Sequence, residues 1–312
     1  MEKSFIVIGE SVHASIPRTG RIMKQLAEMG VDAYSKDSEP LDYIRGLIES
    51  QAKAGADYIA LNLDAFGEDR PEVAVDMMRE YVEMVRKWGS GAAVCIDSSD
   101  DDVLKAGLKQ WYNTDEPVRQ PLINSVKVYT MDNILPLKSS YDFAFIGMLM
   151  SEGGGTHSID ELYSLAKRIF AEAVNKYGFK AEEIFFDSTI FPLAIDMPMA
   201  PGEASYTYKS FETIKKIKSD PEMQGVHFTG GISNCARDLP ARKIGVMRAY
   251  VHKAMACGLD SGIVNPAHHL SEGDPDGELM ELVDAFAKMD GSAETTNNGM
   301  MLMAKFCREN RQ

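Results

Sequence analysis

Eight short apolar runs in the sequence end in residues with chemical capacity. The residues at the ends of these runs are Glu10, Asn62 with Asp64, Asp97, Asn124, Met148, Asp187, Ser233 with Asn234, and Asn265. Asn presents a donor and an acceptor on one planar group, and an ionised Asp presents acceptors only. Such a set matches the edges of a flat, uncharged, hydrogen-bonding heterocycle, a pterin or a purine. A neutral hydrogen bond contributes about 0.5–1.5 kcal/mol net and one to a charged group about 1.5–3. Several together would give micromolar-class binding without phosphate contacts. The same residue types after a strand also cap helices and close Asx-turns. Two of them escape that use on local grounds. Asp97, in VCIDSSD, is followed by Ser98, Ser99 and Asp100, any of which can cap the next helix. Asp187, in IFFDSTIFP, lies far upstream of the next helix. Asn265, before Pro266, reads as a turn residue. By this reading no histidine or cysteine stands at the same depth.

The elements that position these residues emerge from patterning. The apolar runs are Phe5–Ile8, Tyr58–Leu63, Ala92–Ile96, Pro121–Ile123, Phe143–Leu149, Ile184–Phe186, Val226–Phe228 and Gly262–Val264. They alternate with longer amphipathic stretches at Leu41–Ala54, Val73–Trp88, Val103–Trp111, Asp132–Leu137, Ile159–Lys176, Tyr206–Lys218, Ala241–Cys257 and Gly277–Met289. Strands alternating with helices imply an α/β protein with a parallel sheet. Eight of each predict a closed (β/α)8 TIM barrel, whose site lies at the C-terminal ends of the strands. The first strand leads into GESVHAS and not the GxGxxG of an open dinucleotide-binding sheet. Ser158 with Asp160 and Glu161, and the Asp274-Pro275-Asp276 entry, are legible helix starts. Gly55, Gly178 and Gly258 stand where helix-ending glycines belong. Two features exceed a minimal barrel: an N-terminal excursion, Ser15–Pro40, and an extra C-terminal helix, Asn297–Arg308. Both read as lids or dimer elements. With no linker in view, residues 1–312 read as one barrel domain.

Composition bounds the partners. The chain has 312 residues, 45% hydrophobic and 26% charged, which suits a globular protein with a large core. Lys and Arg number 33 against 47 Asp and Glu, a net charge of −14 that repels a nucleic-acid backbone. The four cysteines (Cys95, Cys235, Cys257, Cys307) are scattered, as expected of reduced thiols in a cytoplasmic protein. No apolar run approaches 18 residues, so neither a membrane span nor a signal peptide is expected.

Other candidates carry less. In HFTGGISNCAR, Gly230-Gly231 could let the backbone approach a phosphate, the basis of a rival reading as a barrel lyase or synthase. The loop after the eighth run, IVNPAHH, supplies no second such cradle. Lys127 could form a Schiff base or simply be solvated. His268-His269 lacks partners at metal-ligand spacing and reads as a loop pair. Cys235 and Cys257 form no zinc thiolate cluster. Most of the 19 Met are core filler, with Met148 and Met150 placed to line a pocket. Gly153–Gly155 reads as a flexible loop.

Taken in order, IGES, LNLDAF, CIDSSD, INSV, FIGMLM, FFDSTIFP, GGISN and AMACGLDSGI resemble the pterin-binding methyltransferases, over about Phe5 to Ile263. These include the methyltetrahydrofolate:corrinoid-protein methyltransferases and the folate domain of cobalamin-dependent methionine synthase. Dihydropteroate synthase is a more distant relative, and its Ser-x-Lys or Ser-x-Arg pattern is not reproduced in GISNCARD. The chain is most similar to the tetrahydrofolate methyltransferase component of anaerobic demethylating systems. The resemblance implies a barrel that moves a methyl group between a corrinoid and N5 of tetrahydrofolate. Tetrahydrofolate or methyltetrahydrofolate is then a substrate, the corrinoid (cobalamin) belongs to a partner protein, and this chain binds no metal. A homodimer is also implied. Carried over, Asp97, Asn124 and Asp187 match the pterin-binding residues, and Asn234 matches the asparagine that approaches N5, making it the expected catalytic residue. Ser233 precedes it as in the family. Met148 and Ile263 fall where apolar residues flank the ring. Arg237 or Arg242 matches a basic residue near the substrate. Relatives usually carry Asp-x-Asn where this chain has Ala60-Leu61-Asn62, which bears on the supporting role of Asn62. Dihydropteroate synthesis and non-catalytic pterin binding remain the alternatives.

Overall fold

A computed structural model describes residues 5–310 except 156 and 199. Eight strands, β1 (Ile6–His13), β2 (Tyr58–Asn62), β3 (Ala93–Asp97), β4 (Leu122–Val126), β5 (Ala144–Met148), β6 (Ile184–Asp187), β7 (His227–Thr229) and β8 (Ser261–Val264), pair in parallel in the order β7-β6-β5-β4-β3-β2-β1-β8. The ring closes through a parallel bridge between Gly231 and Ile263 and a Ser261 Oγ to Thr229 Oγ1 hydrogen bond of 3.2 Å. This is the (β/α)8 TIM barrel that the alternation predicts.

The helices are α1 (Pro17–Glu28), α2 (Glu39–Lys53), α3 (Pro71–Trp88), α4 (Asp101–Trp111), the single turn α5 (Met131–Ile134), α6 (Ile159–Tyr177), α7 (Tyr206–Lys218), α8 (Lys243–Met255), α9 (Gly277–Ala287) and α10 (Ala293–Glu309). Their apolar faces and the outward faces of the strands form one continuous core. The predicted caps are present. Ser158 and Glu161 form a reciprocal capping box, Asp276 accepts from Glu278 N and Leu279 N, and Gly178 is left-handed at the end of α6.

Three boundaries differ from expectation. The excursion at 15–40 is mostly helical: α1 starts at Pro17, whose fixed φ suits a first turn, and buries Thr19, Met23 and Leu26 on one face. Its three buried positions are spread among Arg, Lys and Gln, so the periodicity is thin. The C-terminal helix begins four residues earlier than expected, because Ser292 caps it by accepting from Thr295 N. Strand β1 runs five residues past its expected end and carries a bulge between Gly9 and Val12.

Candidate active site

Side chains alternate along a strand, so residues two apart share a face. Inside the barrel, Ile8, Ala60, Cys95, Leu122, Ala144, Ile146 and Phe185 form a separate apolar cluster, joined by Ile6, Tyr58 and Ile263. Two residues further along seven of the eight strands stand Glu10, Asn62, Asp97, Asn124, Met148, Asp187 and, just past the end of β8, Asn265. The period of two therefore builds a polar layer on an apolar plug. Register aligns it laterally: His13, Asn62, Asp97 and Asn124 pair in one row across β1 to β4, and Met148, Asp187 and Thr229 in another across β5 to β7.

Above this layer opens a cavity of about 740 Å³. Asn62, Asp97, Asp187, Ser233, Asn234, Arg237 and Ile263 all line it. Asn124 and Met148 stand in the same layer but are not among the cavity-lining residues. Asn124 is buried beside Asp97, and Met148 is half-buried beside Asp187.

The two aspartates have unusual electrostatics. Burial pushes the Asp97 carboxyl up to about 7, against a hydrogen bond from Asn62, with the negative charges of Asp64 and Asp187 adding to the rise and Lys127 opposing it. Burial likewise pushes Asp187 up to about 6, although Thr189 N–H donates to its Oδ1 at 2.7 Å. Asp187 is thus no helix cap, as expected, but it does close a local turn. Asp97 is free of capping, because Asp100 caps α4 by accepting from Asp102 N at 2.7 Å. Asp64 accepts from Ser99 N and Oγ, both at 2.8 Å, and from Ser98 Oγ, so it staples the loop after β2 to the loop after β3.

The opposite wall comes from β7, β8 and β1. Ser233 and Asn234 sit on a 3-10 turn, Ile232–Ala236, and both are exposed. The Ser233 hydroxyl donates to Glu10 Oε2 at 3.1 Å. Arg242 is committed to Asp276 and Glu278, at 2.8 Å each, whereas Arg237 lines the cavity. Geometry therefore separates the two arginines that sequence left open. Lys243, at the start of α8, lines the same wall and was missed, because nothing in the sequence distinguishes it from a solvated lysine.

One expectation is corrected. His13 and His268 both line the cavity, so histidines do stand at this depth. His13 arrives there because β1 is longer than its apolar run. His268 arrives on the turn Pro266–His268, which Asn265 caps by accepting from Ala267 N at 3.1 Å. Burial pushes both imidazoles below the usual histidine value. Among the described residues, no three His, Cys, Asp or Glu side chains are grouped to hold a metal ion. The glycine pair after β7 has a packing explanation for its first member: a Cβ on Gly230 would lie 2.7 Å from Ile190 Cδ1. The pair is therefore weaker evidence for a phosphate cradle than its sequence implies.

Comparison with known proteins places the chain in a family. The family model described as pterin binding enzyme matches residues 32–265. A methylcorrinoid:tetrahydrofolate methyltransferase of Eubacterium limosum is 27% identical over 267 residues, covering 84% of this chain and 85% of that one. The dihydropteroate synthase of Yersinia pestis, solved with a pterine-sulfa conjugate, superposes with a TM-score of 0.52 at 10% identity, covering 97% of this chain and 94% of that one; this likeness concerns the fold alone. With a family match that spans most of the barrel, the chain belongs to the pterin-binding enzymes.

Proposed function

We propose that the protein transfers a methyl group between the corrinoid of a partner protein and N5 of tetrahydrofolate. The observation that supports this most is the division of the cavity into two unlike walls. The inner wall holds Asp97 and Asp187, buried enough to sit near neutrality. The outer wall holds Asn234, exposed at the mouth and carried on a turn tied to Glu10. A relative of the same length class is named for this reaction.

A pterin edge carries N–H donors beside a carbonyl acceptor. Asp97 and Asp187 would accept from the donors, Asn62 would meet the ring edge from the cavity wall, and Asn124 would support Asp97 from the neighbouring strand. Ile263 gives the ring an apolar flank. This arrangement turns N5 toward the mouth, and fixing it there lowers the entropic part of the barrier. N5 needs no hydrogen bond when it attacks, but it is a poor leaving group unless protonated or hydrogen-bonded. An amide both donates and accepts without titrating, so Asn234 would serve N5 in either protonation state. The corrinoid of the partner would supply or take up the methyl group at the open mouth.

The test is anaerobic spectroscopy of methylcobalamin with tetrahydrofolate and this protein. The expected result is loss of methylcobalamin absorbance, growth of the reduced-cobalt band and formation of methyltetrahydrofolate. Folate binding without any transfer, with methylcobalamin or a corrinoid protein, would leave a pterin-binding module and overturn the reading. Turnover of a pterin pyrophosphate with p-aminobenzoate would replace it with dihydropteroate synthesis.

A further inference from the structure

We propose that Glu10 is a positioning residue for the turn that carries Asn234, and that buried Gln51 aims it there. The argument begins in β1. Gly9 pairs with Ile59 and Val12 with Leu61, so three steps on β1 face two on β2. That extra residue is a bulge, which reverses the in–out alternation beyond it. Before the bulge, Ile8 faces the barrel interior; within it, Glu10 lines the cavity; after it, Val12 packs in the outer core and His13 lines the cavity.

The bulge has a built support. At Ser11 the backbone N–H donates to Gln51 Oε1 at 3.0 Å. Gln51 lies on α2, is 3% exposed, and donates from Nε2 to Leu47 O at 3.1 Å. A Cβ at Gly9 would run into Gln51 Oε1, so the glycine makes room for that support. A buried amide on a surrounding helix therefore sets the geometry of a strand inside the barrel.

From this position Glu10 reaches two other elements. Its carboxylate accepts from Ser233 Oγ, the neighbour of Asn234, and from the backbone N–H of Asn265 after β8. Burial raises its carboxyl, so the two hydrogen bonds do not outweigh desolvation. The turn is anchored below by buried Ile232, Cys235 and Ala236, and a carboxylate joining three strand ends holds its exposed corner, Ser233 and Asn234.

The rate readout of this inference rests on the methyl-transfer reading; its structural readout does not. Glu10→Ala, Glu10→Gln and Gln51→Leu are compared with wild type, with folding checked by circular dichroism. Hydrogen exchange of residues 231–237, folate affinity and methyl transfer at saturating tetrahydrofolate are measured. Glu10→Ala is expected to speed exchange in that segment and slow transfer about 10–100-fold, while folate affinity changes less than about threefold. Glu10→Gln keeps a carbonyl oxygen for the Asn265 N–H, and its amide N–H can donate to the Ser233 hydroxyl, which also accepts, so it is expected to restore both properties to within about threefold. Gln51→Leu is expected to act in the direction of Glu10→Ala. Unchanged exchange at 231–237 in folded Glu10→Ala overturns the inference, whatever the activity. So does failure of Glu10→Gln to restore exchange and rate, because the charge rather than the tie would then matter. If wild type transfers no methyl group, the functional reading fails and the exchange result alone decides this one.

Discussion

Asn62 on β2 and Asp97 on β3 are register partners, and the Asn62 amide donates to the Asp97 carboxylate. The bond favours the ionised form, yet burial still carries the carboxyl to about 7. The interior position thus outweighs its best partner. Such a group suits a ligand that brings further donors, and when ionised without one it costs stability.

Replacing that carboxylate separates the two effects. In the folded chain Asp97 titrates near 7, against an ordinary 3.8. Between those values the folded state binds more protons than the unfolded one, so stability falls as pH rises through that window. Asp97→Asn removes the ionisation. It is expected to melt several degrees above wild type at pH 8, with the advantage gone below about pH 4. Its folate affinity is expected to fall about 10–100-fold, because a charge-assisted acceptor is lost. Thermal unfolding at both pH values and calorimetry check these outcomes; a wild-type melt at pH 8 with wild-type affinity would remove Asp97 from the pocket.

The same electrostatics set the pH dependence of binding. Pterin N–H donors favour ionised carboxylates, so the ligand lowers the titration points of Asp187, near 6, and Asp97, near 7. Folate affinity is expected to rise from pH 5 to pH 8, with protons released at pH 6.5. Calorimetry in buffers of different ionisation enthalpy reads that release as a buffer-dependent heat. Proton uptake instead would show that the aspartates bind the ring protonated.

Asn234 differs from the aspartates in being exposed at the mouth. Its truncation therefore leaves the inner wall intact. Asn234→Ala is expected to lower methyl transfer at saturating folate by more than about 100-fold while changing folate affinity only a few-fold. Single-turnover kinetics beside calorimetry separate the two. A wild-type rate with bound folate would place N5 under some other group.

Much of this was legible because barrel chemistry is written with period two. Asp97 follows Cys95 and Asp187 follows Phe185 at the spacing that shares a face, so the apolar run points directly at its polar end. Glu10 was legible as a strand end but not as a tie, because its partners Ser233 and Asn265 are more than 200 residues away in sequence. His13 was missed for a local reason: the bulge after Gly9 breaks the alternation on which the reading depends. Helix α1 was missed because it buries only one thin stripe. The choice between Arg237 and Arg242 needed the positions of Asp276 and Glu278, which lie on the N-terminal end of another helix.

That choice yields a two-sided prediction. Arg242 spans from the start of α8 to the cap and first turn of α9, and both of its ion pairs are partly exposed. Such pairs are worth about 0–1 kcal/mol each, so Arg242→Ala is expected to lower the melting temperature slightly and leave folate affinity alone. Arg237 lines the cavity and is exposed. With the ring against Asp97 and Asp187 as proposed, a folate would extend toward Arg237 a carboxylate-bearing tail that a bare tetrahydropterin lacks. Arg237→Ala is expected to weaken tetrahydrofolate about 2–5-fold, the size of an exposed ion pair, and to leave tetrahydropterin binding unchanged. Calorimetry with both ligands on both variants checks this. Equal losses for the two ligands would move Arg237 from the tail to the ring, and a loss in Arg242→Ala but not Arg237→Ala would reverse the assignment.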